Sequence, residues 1–326
     1  MNKSNNYLEY HKELSLIEEY VILKKYTEAL NLFSNLISQY QFIFPRDAYL
    51  AAQIAAYLNE KERAKVFLIK AIESGCDFKM LKKNLHIKKI INDIGIKEFK
   101  EIYIKSNQEY KKNISTEVKE ALQKLHKKDR EYLISYYKLY NYFSKEKILL
   151  EWNEYSVIAG AEVKELIQNV GFPSYKIVGT DSLEDYKKGD FKDYISSHMA
   201  IILLAHDYES IKDIMPVLLE EVNKGHISAR ALAFLRDVIT YKRLTKKKLK
   251  NDDFDTYKYG TFLFQDQNIE NISDYNYERK EIGLCSLETE KEKHLINNLY
   301  NKSVFWNRRN KNFSKPLFHF LTEDIC

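Results

Sequence analysis

Five polar side chains in the second half of the chain could carry acid–base chemistry. They are His206, Asp237, Tyr259, Thr261 and Arg279. His206 directly follows the apolar run 199–205, which we expect to form a buried helix, and the negative end of a helix dipole favours a protonated imidazole. A histidine held there beside a carboxylate can act as a general acid or base, so a hydrolase-type catalytic site is one hypothesis. The favoured interpretation is a structural role, in which His206 caps the free carbonyls of the helix and pairs with Asp237.

The sequence lacks the motifs that define common enzyme classes. It has no Gly-rich dinucleotide fingerprint, P-loop, GxSxG or HExxH pattern. His198, the pair His206-Asp207 and Asp237 superficially resemble the ligands of a metal-dependent HD phosphohydrolase. However, His198 and His206 would lie ~12 Å apart along one helix, whereas two ligands of one metal must both lie within ~2.1 Å of it. We therefore expect neither a metal nor a cofactor.

The composition favours a helical protein in a reducing compartment. Only 9 Gly and 4 Pro occur among 326 residues, too few for the many turns of an all-β sandwich. We therefore predict an all-α fold with one small β-hairpin. The three scattered cysteines, Cys76, Cys285 and Cys326, cannot form a disulfide framework. Without a signal-peptide pattern or an apolar run near the ~20 residues that a bilayer requires, the sequence predicts a cytoplasmic protein with no membrane partner.

The charge balance gives little support to a nucleic-acid partner. Lys+Arg 52 against Asp+Glu 47 leaves a formal net charge of only +5, too small an excess to indicate a polyanionic ligand. The tail after Lys302 does interleave aromatic and basic residues, as single-strand binders do. Nucleic-acid binding through this tail is therefore a third hypothesis, ranked below an interaction protein and an enzyme.

An internal repeat is the clearest pattern near the start of the chain. Ala29, Phe33 and Leu36 correspond to Ala64, Leu68 and Ala71 at a constant offset of 35 residues. This offset is close to the ~34-residue period of tetratricopeptide repeats, in which small residues at an inner seam let antiparallel helices approach closely. We predict two helical hairpins with Asn59 as the N-cap of the last helix; ordinary hairpins that share alanines are the alternative. Because three repeats are usually needed, helices between residues 78 and 105 are predicted to form a cap.

These patterns predict two domains. Residues 1–112 would form the tetratricopeptide-like repeat domain, and residues 113–326 a helical domain with a short hairpin near residues 258–272. A glycine inside a strand pattern usually marks a bulge or a close backbone approach. We therefore expect Gly260 to pack against the helix that carries Asp237, with one of its two neighbours hydrogen-bonded to a polar partner.

The second domain resembles a bacterial family of unknown function that is often preceded by tetratricopeptide-like helices. The resemblance covers residues 117–287 and rests on landmark residues in a fixed order: Asp129-Arg130, Gly171-x-Pro173 with Gly179, His206 after an apolar helix, Leu235-x-Asp237, Tyr259-Gly260-Thr261 and Arg279-x-x-x-Gly283-Leu284. The chain departs from the family at Asp207-Tyr208, where the family has Ala-Asp, at Val238, where it has Arg, and at Phe262, where it has Gln. The resemblance implies a helical-repeat module and a mainly helical second domain, with no established activity.

Two functions from different classes follow from these observations. The favoured hypothesis is a cytoplasmic interaction or scaffold protein that holds a protein or peptide through the repeat module. Its basis is the 35-residue offset together with the lack of enzyme motifs. The alternative is a hydrolase built on the five polar residues described first.

Overall fold

The protein is all-helical, as predicted, in the part of the chain that the structure describes. The structure is a computed structural model that describes residues 6–82, 84–138, 144–180, 198–263 and 269–306, and no β-strand occurs in these ranges. None of the helices described there is long and apolar enough to cross a membrane. The chain forms two compact units, the first comprising Met1–Asn113 with Leu263–Asp324 and the second Ile114–Phe262 with Ile325–Cys326. The first boundary falls next to the expected one, whereas Leu263–Asp324, expected in the second domain, groups with the first unit.

The helices are numbered in chain order. The first unit begins with α1 (Tyr7–Ile22), α2 (Tyr26–Gln39), α3 (Pro45–Tyr57), α4 (Lys61–Glu73), the single turn α5 (Phe78–Leu81), α6 (Leu85–Ile94) and α7 (Ile96–Lys112). The second unit contains α8 (Thr116–Tyr137), α9 (Lys145–Val170), α10 (Met199–His206), α11 (Ile211–Asn223) and α12 (Ala229–Thr245). Two further helices of the first unit follow, α13 (Ile272–Glu281) and α14 (Leu287–Trp306).

Successive helices of the first unit pack in pairs. α1 packs on α2, α3 on α4 and α6 on α7. Ala29 and Ala64 are fully buried, as expected of small residues at a helix seam. The side chain of Asn84 accepts hydrogen bonds from two N–H groups in the first turn of α6 and donates to Gln53 of α3 at 3.0 Å. One asparagine therefore starts α6 and fastens it to the preceding pair.

The start of α4 differs from the prediction. Asn59 does not cap this helix: α4 begins at Lys61, and its N-cap residue, Glu60, makes no side-chain capping bond. Asn59 instead has a φ of 60° and closes the turn after α3. Asparagine tolerates this left-handed conformation better than most residues, which explains its presence in the turn.

The apolar helix α10 lies in the core of the second unit. Residues 199–205 are all buried, as expected for a helix without a polar face. α10 packs against α8, α9 and α12. His206, the last residue of α10, therefore lies where α10 meets these helices.

The predicted hairpin near residues 258–272 was not found. Residues 258–263 form bends and turns, and residues 264–268 lie outside the described part of the chain. The backbone N–H groups of Lys258, Tyr259 and Thr261 all point to the carboxylate of Asp237 on α12. Because these donors are already paired, they cannot form the ladder of a strand.

Candidate functional site

A buried aspartate and a half-buried histidine meet at the end of α10. Nδ1 of His206 lies 2.8 Å from Oδ1 of Asp129 on α8. Trp152 on α9 donates its indole N–H to the same carboxylate oxygen at 2.7 Å. The side chain of Asp129 is 2% exposed and that of His206 is 23% exposed. One side chain from α9 and one from α10 thus contact the buried carboxylate of Asp129 on α8.

Asp129 occupies a core position of α8. Val118, Leu122 and Leu125 are buried at the spacing of one helix face, and Asp129 is the next residue in that series. A carboxylate in such an apolar stripe is costly unless it is paired and hydrogen-bonded. The indole of Trp152 and the imidazole of His206 meet this requirement.

The contact with Asp129 orients the imidazole of His206. With Nδ1 donating its hydrogen to the carboxylate, Nε2 of the neutral ring is an acceptor. Trp152 also packs edge-on against the imidazole, with the ring centroids 5.2 Å apart. The ring is therefore held by two neighbours while part of it remains accessible.

Two titratable side chains near this pair, His126 and Tyr155, have pKa values that keep them uncharged at neutral pH. Burial lowers the pKa of His126, on α8, to about 4, although Asp129 acts in the opposite direction. Burial and the nearby charge of Asp129 raise the pKa of Tyr155, on α9, to about 12. The hydroxyl of Tyr155 donates to the carbonyl of Leu125 at 2.9 Å.

Asp207 fixes the end of α10 against α9. Its carboxylate accepts the hydroxyl of Ser210 and lies 3.9 Å from Nζ of Lys164. Burial raises the pKa of Asp207. A Cβ atom on Gly160 of α9 would collide with this carboxylate, so the close approach requires glycine. The position of His206, one residue earlier, is set partly by this contact.

Asp237 organises the segment that contains Gly260. Its side chain is fully buried and accepts hydrogen bonds from the N–H groups of Lys258 at 2.9 Å, Tyr259 at 3.2 and 3.3 Å and Thr261 at 2.9 Å. Burial raises the pKa of Asp237, while the three N–H groups act in the opposite direction. Gly260 has a φ of 64°. The expected approach of this segment to the helix carrying Asp237 is thus observed, through backbone rather than side-chain donors.

The five residues predicted to be catalytic have different surroundings. Asp237 meets Tyr259 and Thr261 through their backbone, whereas the hydrogen bond of His206 is to Asp129 rather than to Asp237. Arg279 belongs to the first unit, where its Nε donates to the carbonyl of Cys285 at 2.7 Å. Asp129 entered the sequence analysis as a landmark residue but not in the predicted catalytic set, and Trp152 was missed. The acidic residue within the apolar stripe of α8 was the pattern that could have placed Asp129 in the site.

The first unit contains a separate cleft of about 260 Å³ between α4, α6 and α7. Its lining combines isoleucines with charged side chains of both signs: Lys61, Glu62, Lys65, Ile90, Asp93, Ile94 and Glu98. Nζ of Lys61 lies 2.8 Å from Asp93, and Nζ of Lys65 lies 3.3 Å from Glu98. These ion pairs are partly exposed, so each contributes little to stability and can be opened by a ligand at small cost.

Neither the geometry nor comparison with known proteins identifies a cofactor or a family. Among the residues described, no group of three or more His, Cys, Asp or Glu side chains could hold a metal ion. Comparisons of the chain with protein families, with curated proteins and with solved structures give no match. The resemblance to a bacterial family of unknown function therefore rests on the landmark residues alone.

Proposed function

We propose that the chain is a cytoplasmic interaction or scaffold protein, and that its first unit holds a protein or peptide through tetratricopeptide-like helix pairs. The observation that carries this proposal is the regular spacing of the second helix in each pair. These helices begin at Tyr26, Lys61 and Ile96, which are 35 residues apart. Buried positions keep the same spacing in two series: Ala29, Ala64 and Phe99, and Leu36, Ala71 and Ser106.

The turns between paired helices support the same register. Lys24, between α1 and α2, and Asn59, between α3 and α4, both have a φ of 60° and are 35 residues apart. In each turn, the N–H of the following residue bonds to the carbonyl five residues before it, at 2.8 and 2.9 Å respectively. Two different residue types adopting the same strained conformation at one offset favour a true repeat over a chance resemblance.

A third helix pair removes the main objection to a repeat array. The sequence alone indicated two repeats, and helices between residues 78 and 105 were assigned to a cap. α7 begins 35 residues after α4 and packs on α6, which ends 37 residues after α3. This helix pair supports a third unit, and three units are the usual minimum for stability. Each pair can then bury its apolar face against the next.

The cleft between the second and third pairs is the proposed binding surface. Ile90 and Ile94 provide its apolar part, while the Lys61–Asp93 and Lys65–Glu98 pairs form its charged part. A peptide with an apolar side chain flanked by charged groups fits this chemistry, because it can bury the first and replace the exposed ion pairs with its own.

Selection of peptides from a random display library on the full-length chain tests this proposal. Ile94→Asp, which puts a charge in the apolar part of the cleft, is expected to weaken binding of the selected peptides by about 10-fold or more. The matched control is Leu85→Asp, on the same helix but outside the cleft lining, where the side chain is 61% exposed. Peptides that bind both variants equally well, or a library from which none is retained, would contradict the proposed binding surface.

A further inference from the structure

We propose that Asp129 and His206 form the proton-transfer centre of an esterase-like site in the second unit. In this site, Nε2 of His206 takes a proton from a water molecule that attacks an ester bearing a planar aromatic group. The activity is independent of the interaction function proposed for the first unit.

A second histidine–carboxylate pair in the same unit shows what a purely structural pair looks like. Nδ1 of His226 lies 2.7 Å from Oε2 of Glu221, and the N–H of Phe172 donates to the same oxygen at 2.5 Å. Nζ of Lys224 lies 3.0 Å from the other oxygen. A Cβ atom on Gly171 would collide with both side chains of the pair. Glu221 is therefore occupied in fastening the loop after α9 to the end of α11.

The Asp129–His206 pair has no comparable loop to hold. Asp129 and Trp152 lie inside helices and His206 is the last residue of α10, so the contacts of Asp129 join helices through side chains. Burying a carboxylate among apolar residues only to join helices is costly compared with an apolar contact of similar size. The arrangement does, however, fix the imidazole in one tautomer with Nε2 as the acceptor, which is what a general base requires.

Aromatic rings lead from His206 to the surface. The ring centroids of Trp152 and Tyr136 are 6.4 Å apart, and those of Tyr136 and Tyr137 are 5.2 Å apart. Tyr137 is 70% exposed. These rings offer edge and face contacts to a planar aromatic group placed beside the imidazole. We therefore assign the substrate class as aromatic esters rather than small alkyl esters.

The proposed step balances without a cofactor. The water oxygen forms a bond to the ester carbonyl carbon while Nε2 accepts one water proton. The resulting tetrahedral intermediate expels the alcohol or phenol oxygen as its C–O bond breaks, and the imidazolium returns the proton to that oxygen. Asp129 stabilises the transient imidazolium and acts as a positioning residue, since it contacts His206 and not the substrate.

Hydrolysis of p-nitrophenyl acetate by the full-length chain near neutral pH tests the proposal. His206→Gln is expected to lower the protein-dependent rate by about 100-fold, whereas the matched variant His226→Gln should retain the wild-type rate. The wild-type rate should also be slower in D₂O, because a proton moves in the rate-limiting step. Equal rates for wild type and His206→Gln would overturn the proposal.

Two further measurements separate catalysis from a role in folding. Asp129→Asn should lower kcat and leave KM unchanged, while Tyr136→Ala should raise KM for p-nitrophenyl acetate and leave kcat unchanged. If His206→Gln lowers the melting temperature, the role of His206 is tested instead by carbethoxylation of the wild-type protein. Loss of activity should then parallel the modification of His206 measured by peptide mapping. Full activity after complete modification of His206 would refute its role as the base.

Discussion

Replacing Asp237 with asparagine should destabilise the second unit strongly. The Asp237 carboxylate is fully buried, and each of its oxygens accepts backbone N–H groups of the segment that contains Gly260. The amide of Asn has only one oxygen, so the N–H of Lys258 or of Thr261 must face an NH₂ group. Losing a hydrogen bond to a charged group costs about 1.5–3 kcal/mol, and an unsatisfied buried N–H adds about 1–3 kcal/mol. We expect the free energy of unfolding to fall by about 3 kcal/mol.

Urea unfolding of the full-length chain, followed by far-UV circular dichroism, measures this effect. The matched control is Asp253→Asn, which makes the same chemical change at an exposed carboxylate ahead of the same segment and should alter the free energy of unfolding by less than about 0.5 kcal/mol. If Asp237→Asn were as mild as this control, the backbone hydrogen bonds to Asp237 would not be what holds residues 258–261 in place.

Three other predictions test the packing and electrostatics described above. Ala64→Leu should overpack the seam of the second helix pair and cost ~1–3 kcal/mol in urea unfolding; a neutral result would mean that the seam has room for a larger side chain. Gly260→Ala should destabilise the second unit by ~1–2 kcal/mol, because the φ of 64° at Gly260 disfavours any Cβ, and unchanged thermal stability would contradict this. Burial opposes ionisation of Glu221, but hydrogen bonds from His226, the N–H of Phe172 and Lys224 lower its pKa from 4.5 to about 2. Ionised Glu221 should therefore add up to about 3 kcal/mol to the free energy of unfolding above pH 4.5, and this contribution should be lost as the pH falls toward 2. Glu221→Gln should flatten this part of the curve of stability against pH.

The fold class could be predicted from the sequence because it depends on local patterns. Few glycines and prolines, together with helical spacing of apolar residues, indicate helices without reference to distant contacts. The hairpin near residues 258–272 was not found because its prediction used local β-propensity. In the structure, the carboxylate of Asp237, 21 residues or more earlier in the chain, accepts the N–H groups that a strand would need. Tertiary hydrogen bonds thus overrode the local preference.

The helices between residues 78 and 105 were predicted as a cap, and their proposed place in the repeat was not recognised for a related reason. The alanines that identify the first two pairs are replaced at the same offset by Phe99, and Tyr103 stands where the earlier pairs have Phe33 and Leu68. A search for small residues cannot detect such a position, although burial is kept at Phe99. Spacing alone would have placed the predicted helix at α7 in the 35-residue register, because the register depends on which face is buried rather than on residue size.

The second unit shows why a buried acid by itself does not indicate chemistry. Asp237 and Glu221 are both buried, but backbone N–H groups bond to both oxygens of Asp237, and Glu221 fastens a loop through Phe172 and His226. The oxygens of both carboxylates are therefore already engaged in hydrogen bonds that hold the backbone in place. Exposure does not separate the pairs, since the side chain of His206 is 23% exposed and that of His226 is 20% exposed. Asp129 differs because its partners are the side chains of Trp152 and His206, whereas the oxygen of Glu221 that holds His226 also accepts the backbone N–H of a loop. This difference in partners, rather than the residue types, is what singles out His206.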